Sequence, residues 1–202
     1  MANSLRNALI CAFAATVSSV VGAQSSDTDE ILLDSGPFVL DRKTNLIDVQ
    51  KPHITQGKIS ITADEATATS IVFDTSSEWR FKGHVRVAVD AGLLTADSAV
   101  FTFADKRLAR GELGGNATFE DAQTNDKGGA GKLVYDYKAR TLQLSDNPWV
   151  HKGGNEIHGG CDLLYDLEEK RVTSGSTACA EPNRIRILPR QDGEARAAAP
   201  AQ

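Results

Sequence analysis

Apolar and polar residues alternate with a period of two along this chain, and that alternation constrains the fold more than any other feature. Ile59 and Ile61 alternate with Ser60 and Thr62, and Val85, Val87 and Val89 with His84, Arg86 and Asp90. Leu142 and Leu144 alternate with Thr141 and Gln143, and Ile185 and Ile187 with Arg184 and Arg186. Successive side chains of a strand point to opposite faces, so each run reads as a strand with one apolar face. Turn chemistry separates the runs: Asp105-Lys106-Arg107, Gly114-Gly115-Asn116, Asn125-Asp126-Lys127-Gly128-Gly129, Asp146-Asn147-Pro148 and Lys152-Gly153-Gly154-Asn155. That spacing suits a β-sandwich, jelly roll or barrel. No amphipathic helix of three turns interrupts it. The expectation is an all-β chain with on the order of fifteen short strands between Leu46 and Leu188.

An internal repeat sharpens this expectation. The segment Thr95-Ala96-Asp97-Ser98-Ala99-Val100-Phe101-Thr102-Phe103 aligns with Gly129–Tyr137 and with Gly159–Leu167. A shorter copy begins at Thr62-Ala63-Asp64-Glu65-Ala66. In register, Ala99, Phe101 and Phe103 correspond to Leu133, Tyr135 and Tyr137 and to Leu163, Tyr165 and Leu167, so all should share one face. Each copy leads into a turn and another strand. Stacked repeats of this kind build an elongated sheet whose end strands leave backbone groups unpaired. Such ends can accept a strand from another chain.

The first residues read differently. Met1–Ala23 has one basic residue, Arg6, an apolar run from Ala8 to Val21, and the small-residue ending Val21-Gly22-Ala23. This is the pattern of a secretory signal peptide, and the run is shorter than the roughly 20 residues of a spanning helix. Cleavage after Ala23 would take 23 of the 202 residues, leaving 179, and would shift the net charge from −5 to −6 by removing Arg6. It would also remove Cys11 and leave Cys161 and Cys179, an even count that favours a disulfide in an exported protein. Closing that loop would contribute about 3 kcal/mol in the chain-entropy picture. The expected organisation is a signal peptide over 1–23, one β-domain over 24–190 and a disordered tail over 191–202. A mean hydropathy of −0.28 argues against a polytopic membrane protein. The acidic balance argues against nucleic acid as a partner.

His151, His158, Cys161 and Cys179 contain zinc-ligand residue types, but export favours cysteine pairing, so no metal is expected. Asp64 and Asp97 recur at one repeat position, and Asp136 and Asp166 at another. Recurrence with a structural period points to turns or to hydrogen bonds with neighbouring strands rather than to catalysis. No G-x-S-x-G, H-E-x-x-H or phosphate loop is present, and neither catalytic residues nor a cofactor are expected. Asn116-Ala117-Thr118 is read as an accidental sequon. Arg184, Arg186 and Arg190 make the last strand basic, either to meet an acidic partner or to guard a solvated edge, the latter favoured. Trp79 and Trp149 are candidates for a rim or for contacts between protomers, with a purely structural place the favoured assignment.

The Thr-Ala-Asp-x-Ala element, the Gly83-His84-Val85 strand and the Tyr135-Asp136 and Tyr165-Asp166 pairs resemble the LptA/OstA family of periplasmic lipopolysaccharide transport proteins. The resemblance runs from about Ile54 to Ser174. It departs from the family at Gly83-His84-Val85, where Gly-Asn-Val is more usual. It implies an elongated, twisted β-jelly roll, open along one side, whose copies join head to tail through edge strands. Lipopolysaccharide would pass from inner to outer membrane with its acyl chains (lipid A) in an apolar groove, and other transport components of both membranes would be partners. Candidate lining residues are Val85, Val87, Phe101, Phe103, Leu133, Tyr135, Leu142, Leu144, Leu163 and Tyr165; for each, ordinary core is the competing assignment. Apolar burial at roughly 25 cal/mol per Å² would drive binding without directional contacts. The alternatives are an adaptor that docks envelope proteins without lipid, the LptC-like anchored component of the same system, and a secreted carbohydrate-active enzyme.

Overall fold

The computed structural model describes residues 30–70, 77–174 and 182–187. Expectations for 1–23, for the 191–202 tail, and for Cys11, Cys179 and Arg190 fall outside these residues. The described residues contain strands and turns and no helix. The early strands are β1 (Leu32–Asp34), β2 (Phe38–Asp41), β3 (Leu46–Gln50), β4 (His53–Gln56), β5 (Ile59–Thr62) and β6 (Glu65–Ala68). Four long strands follow: β7 (Ser77–Val89), β8 (Gly92–Ala104), β9 (Arg107–Asp121) and β10 (Asp126–Asp136). The last six are β11 (Thr141–Ser145), β12 (Trp149–Lys152), β13 (Asn155–His158), β14 (Asp162–Asp166), β15 (Arg171–Ser174) and β16 (Arg184–Ile187). The strand count agrees with the alternation. The central four are longer than expected, at 11 to 15 residues each.

All pairings are antiparallel and belong to one unclosed sheet that branches at β7 and at β10. Residues 79–82 of β7 pair with β6, while 86–89 pair with β5. In β10, residues 127–129 pair with β12 and 132–136 with β11. The long strands therefore belong to two layers at once. The first layer runs β2-β3-β6-β7-β8-β9-β10-β11-β14-β15, using 77–82, 98–103, 107–114 and 132–136 of the long strands. The second runs β1-β4-β5-β7-β8-β9-β10-β12-β13-β16, using their other halves. The apolar faces of both layers merge into one buried cluster.

A crease joins the layers, and it is written in short-range chemistry. Register shifts fall at Gly83-His84, at Ala96-Asp97 and between Ala130 and Lys132. A bulge of this kind bends a strand and raises its local twist. Gly83 and Gly115 have φ of +76° and +71°, and the next residues, His84 and Asn116, have +46° and +49°. Left-handed backbone favours Gly and Asn and tolerates His, which accounts for the Gly-His and Gly-Asn dipeptides. Both glycines also stand against a carboxylate: a Cβ at Gly115 would lie 2.7 Å from Asp97 Oδ2. The repeated aspartates are thus corner residues. Asn116 Nδ2 donates to Asp97 Oδ2 at 2.8 Å, and His84 Nδ1 lies 2.7 Å from Asp64 Oδ2. His84 takes the geometric place that Asn holds one repeat later.

The repeat has a simple architectural meaning. Its copies occupy β6, the second half of β8, the second half of β10, and β14, all in the first layer and each one strand apart. One repeat is one passage out along the layer and back. Asp136 and Asp166 close the turns after their strands, accepting from Ala139 N at 2.8 Å and from Glu169 N at 2.8 Å.

Candidate functional site

The ten residues expected to line a groove all lie in the interior, each no more than 1% exposed. Val85 and Val87 come from the second layer, and the other eight from the first. Cross-strand register arranges them in rows. One row crosses the first layer as Ala66, Phe81, Ala99, Leu113, Leu133, Leu144 and Leu163. A second, bulkier row runs beside it as Ala68, Trp79, Phe101, Gly111, Tyr135, Leu142, Tyr165 and Val172. The facing layer carries Leu33, Ile54, Ile61, Val87, Leu94, Phe119, Gly128, Val150, Ile157 and Ile185. Each row runs across the strands. The two glycines do not interrupt their rows, because the rings of Phe101 and Phe119 lie over them.

Aromatic contacts join these rows. Phe81 and Phe101 meet edge to face with centroids 5.4 Å apart, and Phe119 meets Tyr165 across the layers at 4.7 Å. Such pairs add roughly 0.5–1.5 kcal/mol beyond area burial. Trp79 is fully buried, its ring 6.3 Å from that of Phe81. This is the structural place favoured for it over a rim: the alternation of β7 directs it inward with Phe81. Trp149 is half-buried, its indole beside Gly129 and tilted on His151. Tyr137 also departs from its repeat register. β10 ends at Asp136, so Tyr137 falls in the following turn and is 36% exposed. Trp79, Phe81, Phe119 and Leu94 belong to the interior but were absent from the expected lining. The period-two pattern of β7, β8 and β9 was the signal that could have found them.

Opposite the crease, the hairpin turns of the layers face each other across a polar mouth. Gln56, at the end of β4, donates to Lys106 O and accepts from Leu108 N at 3.0 Å. Arg140, in the β10–β11 turn, pairs with Asp90 in the β7–β8 turn. Lys170, after β14, reaches Asp121 Oδ2 at 2.5 Å at the end of β9. Tyr165 OH donates to Asp126 Oδ2 at 2.9 Å, and Lys152 Nζ lies 2.5 Å from the same carboxylate oxygen. Asp121 and Asp126 are only 1% and 2% exposed. Burial works to raise the Asp121 carboxyl, but the Lys170 ammonium and the amides of Gln123 and Thr124 outweigh it and hold it below the ordinary value. Burial first, and then the Asp126 carboxylate, push the Tyr165 phenol above its ordinary range. A cleft of about 220 Å³ lined by Asp90, Asp121, Arg140 and Lys170 lies over this network.

The remaining polar candidates lie away from the interior. His151 and His158 both face Glu156, at 3.4 and 2.9 Å, and Arg186 reaches it at 3.5 Å. His158 first, then His151, keeps the Glu156 carboxyl low. Cys161 is disulfide-bonded, and its expected partner Cys179 lies outside the described residues. Among the described residues no group of three or more His, Cys, Asp or Glu is arranged to hold a metal ion. No helix among them is long and apolar enough to cross a membrane.

Residues 67–171, just over half of the chain, match the domain family described as LptA/(LptD N-terminal domain) LPS transport protein. The chain belongs to this family. It is a family of lipopolysaccharide transport, not of enzymes. The match spans the crease, the four long strands and most of the apolar rows. Among solved structures, the chain is similar to LptH, the LptA-homologous periplasmic component of the lipopolysaccharide transport device of Pseudomonas aeruginosa. Identity is 18% and the TM-score 0.48, covering 82% of this chain and 99% of that one. No curated protein matches the chain.

Proposed function

We propose that this protein is a periplasmic lipopolysaccharide-binding component of the bridge from inner to outer membrane, exported by a signal peptide over 1–23. Acyl chains are held between the two layers, on the rows that contain Phe101, Tyr135 and Leu144, while sugars and phosphates stay outside. The observation that carries this reading is the continuity of the apolar rows from strand to strand within a lipopolysaccharide transport family. An apolar track without directional contacts retains acyl chains and still lets them slide.

The row of the second layer ends at Ile185 on β16, which is 64% exposed. Among the described residues β16 pairs only with β13, β15 only with β14, β1 only with β4 and β2 only with β3. Such unpaired edges suit strand addition. Copies therefore join head to tail, and the other transport components dock on the same edges. Cys161 pairs with Cys179 and fastens the chain near the start of β14. The test is ultraviolet crosslinking in cells from photoreactive residues at Phe101 and Tyr135. Crosslinks to lipopolysaccharide are expected from both, and a folded, exported protein that captures none overturns the reading. Two free thiols in the non-reduced mature protein would refute the cysteine pair.

A further inference from the structure

We propose that the polar mouth is a latch: the layers part there, hinging at the crease, to admit acyl chains, and close again behind them. This inference rests on the lipid-binding function proposed above. Its starting point is burial. All ten candidate lining residues pack against protein, none more than 1% exposed, so acyl chains enter the rows only if the layers move apart.

Only one side of the molecule permits that movement. At the crease β7, β8, β9 and β10 pass from layer to layer as continuous backbone, so the layers cannot separate there. At the mouth the described cross-layer hydrogen bonds and ion pairs all use side chains. Gln56 ties the end of β4 to the β8–β9 turn, and Arg140 ties the β10–β11 turn to Asp90. Lys170 ties the β14–β15 turn to Asp121, and Tyr165 ties β14 to Asp126. Each tie joins a turn region of one layer to one of the other, so the ties are spread along the mouth.

Their chemistry suits reversible opening. Burying an ion pair loses in desolvation much of what it gains in attraction. When the mouth opens, the buried Asp121 and Asp126 carboxylates and their cations return to water and recover that loss. An apolar seam of the same extent would have no such return. The cleft beside Asp90, Asp121, Arg140 and Lys170 already brings solvent to four turns, those after β7, β9, β10 and β14. The bulged, left-handed corners at Gly83-His84 and Gly115-Asn116 place the bend on the opposite side.

The test uses the full mature protein and purified lipopolysaccharide. Cysteines are placed at both ends of one tie, Asp90→Cys with Arg140→Cys, and binding is measured oxidised and reduced beside the wild type in the same buffers. The expected result is at least a tenfold loss of lipopolysaccharide capture in the crosslinked form, restored by reductant. Undiminished capture by a crosslinked, folded chain overturns the latch, whereas a wild type that captures nothing overturns the lipid-binding function itself. A second variant, Asp90→Asn, removes the charge at a half-exposed position and should capture lipopolysaccharide several-fold faster. Equal rates in Asp90→Asn and wild type overturn the latch even if the double-cysteine chain does not fold.

Discussion

At the residue scale, a few positions hold geometry that no neighbour supplies. Gly115 is left-handed and touches the Asp97 corner. Gly115→Ala meets both a strained backbone and a carboxylate, and a loss of about 1–3 kcal/mol is expected in urea unfolding. Phe101 fills the space over Gly111, so Phe101→Ala leaves a cavity and should cost about 3–5 kcal/mol in the same experiment. His84 is the titrating corner residue. Its hydrogen bond to Asp64, then the charge of that carboxylate, raise it above the ordinary value of 6.5. A raised folded value means that the corner contact contributes fully below about pH 6.5. The contribution is lost as pH rises through the folded value. Proton NMR should place the His84 midpoint above 6.5, and His84→Asn should keep the corner while removing that dependence. A midpoint at or below 6.5 would show that the corner pair does not form in solution.

At the element scale, edges and crease divide the work. The crease lets one long strand serve two layers, so bending and pairing are satisfied by the same backbone. The edges are the opposite case. β2 presents Phe38, Val39 and Leu40 at 47–64% exposure, and β16 presents Ile185 and Ile187 at 64% and 76%. Under the head-to-tail assembly proposed above, Ile185→Lys with Ile187→Lys should shift the protein toward monomer in sedimentation. Its melting temperature should stay within a few degrees of wild type, because exposed side chains contribute little to the fold. Unchanged assembly would locate the joint elsewhere.

At the scale of the whole molecule, the mouth contributes to acid behaviour together with paired carboxylates outside it. Asp121 sits below the ordinary 3.8 because Lys170 and two amides outweigh its burial. A depressed folded value gives stability that is present above 3.8 and lost as pH falls through the folded value. Glu112, held low first by Lys132, and Asp166, held low first by the amide of Glu169, act in the same direction. The contribution of these carboxylates to the melting temperature should therefore be constant near neutrality and fall below about pH 4. The fall should be smaller in Asp121→Asn, and identical acid profiles would remove the mouth from the account.

Strand formation, the repeat and the corner aspartates were legible in the sequence because they are local: alternation is a property of neighbours, and Gly-Asn and Gly-His name their own backbone geometry. The interior positions of Phe101, Tyr135 and Leu144 followed from the same alternation. Trp79 shares the inward parity of Phe81 and Val85 in β7, and the rim position weighed for it sets that parity aside. Tyr137 was misplaced because the repeat register continues one residue past the end of its strand. Gln56 with Leu108, Asp90 with Arg140, and Asp121 with Lys170 lie about fifty residues apart in the chain. Gln56, Asp90, Arg140, Asp121 and Lys170 each look in sequence like ordinary polar residues at strand ends and turns. By itself the sequence determined what each strand would bury and where the chain would turn. Which turns face each other across the mouth depends on how two layers fold about the crease, and only the tertiary structure decided that.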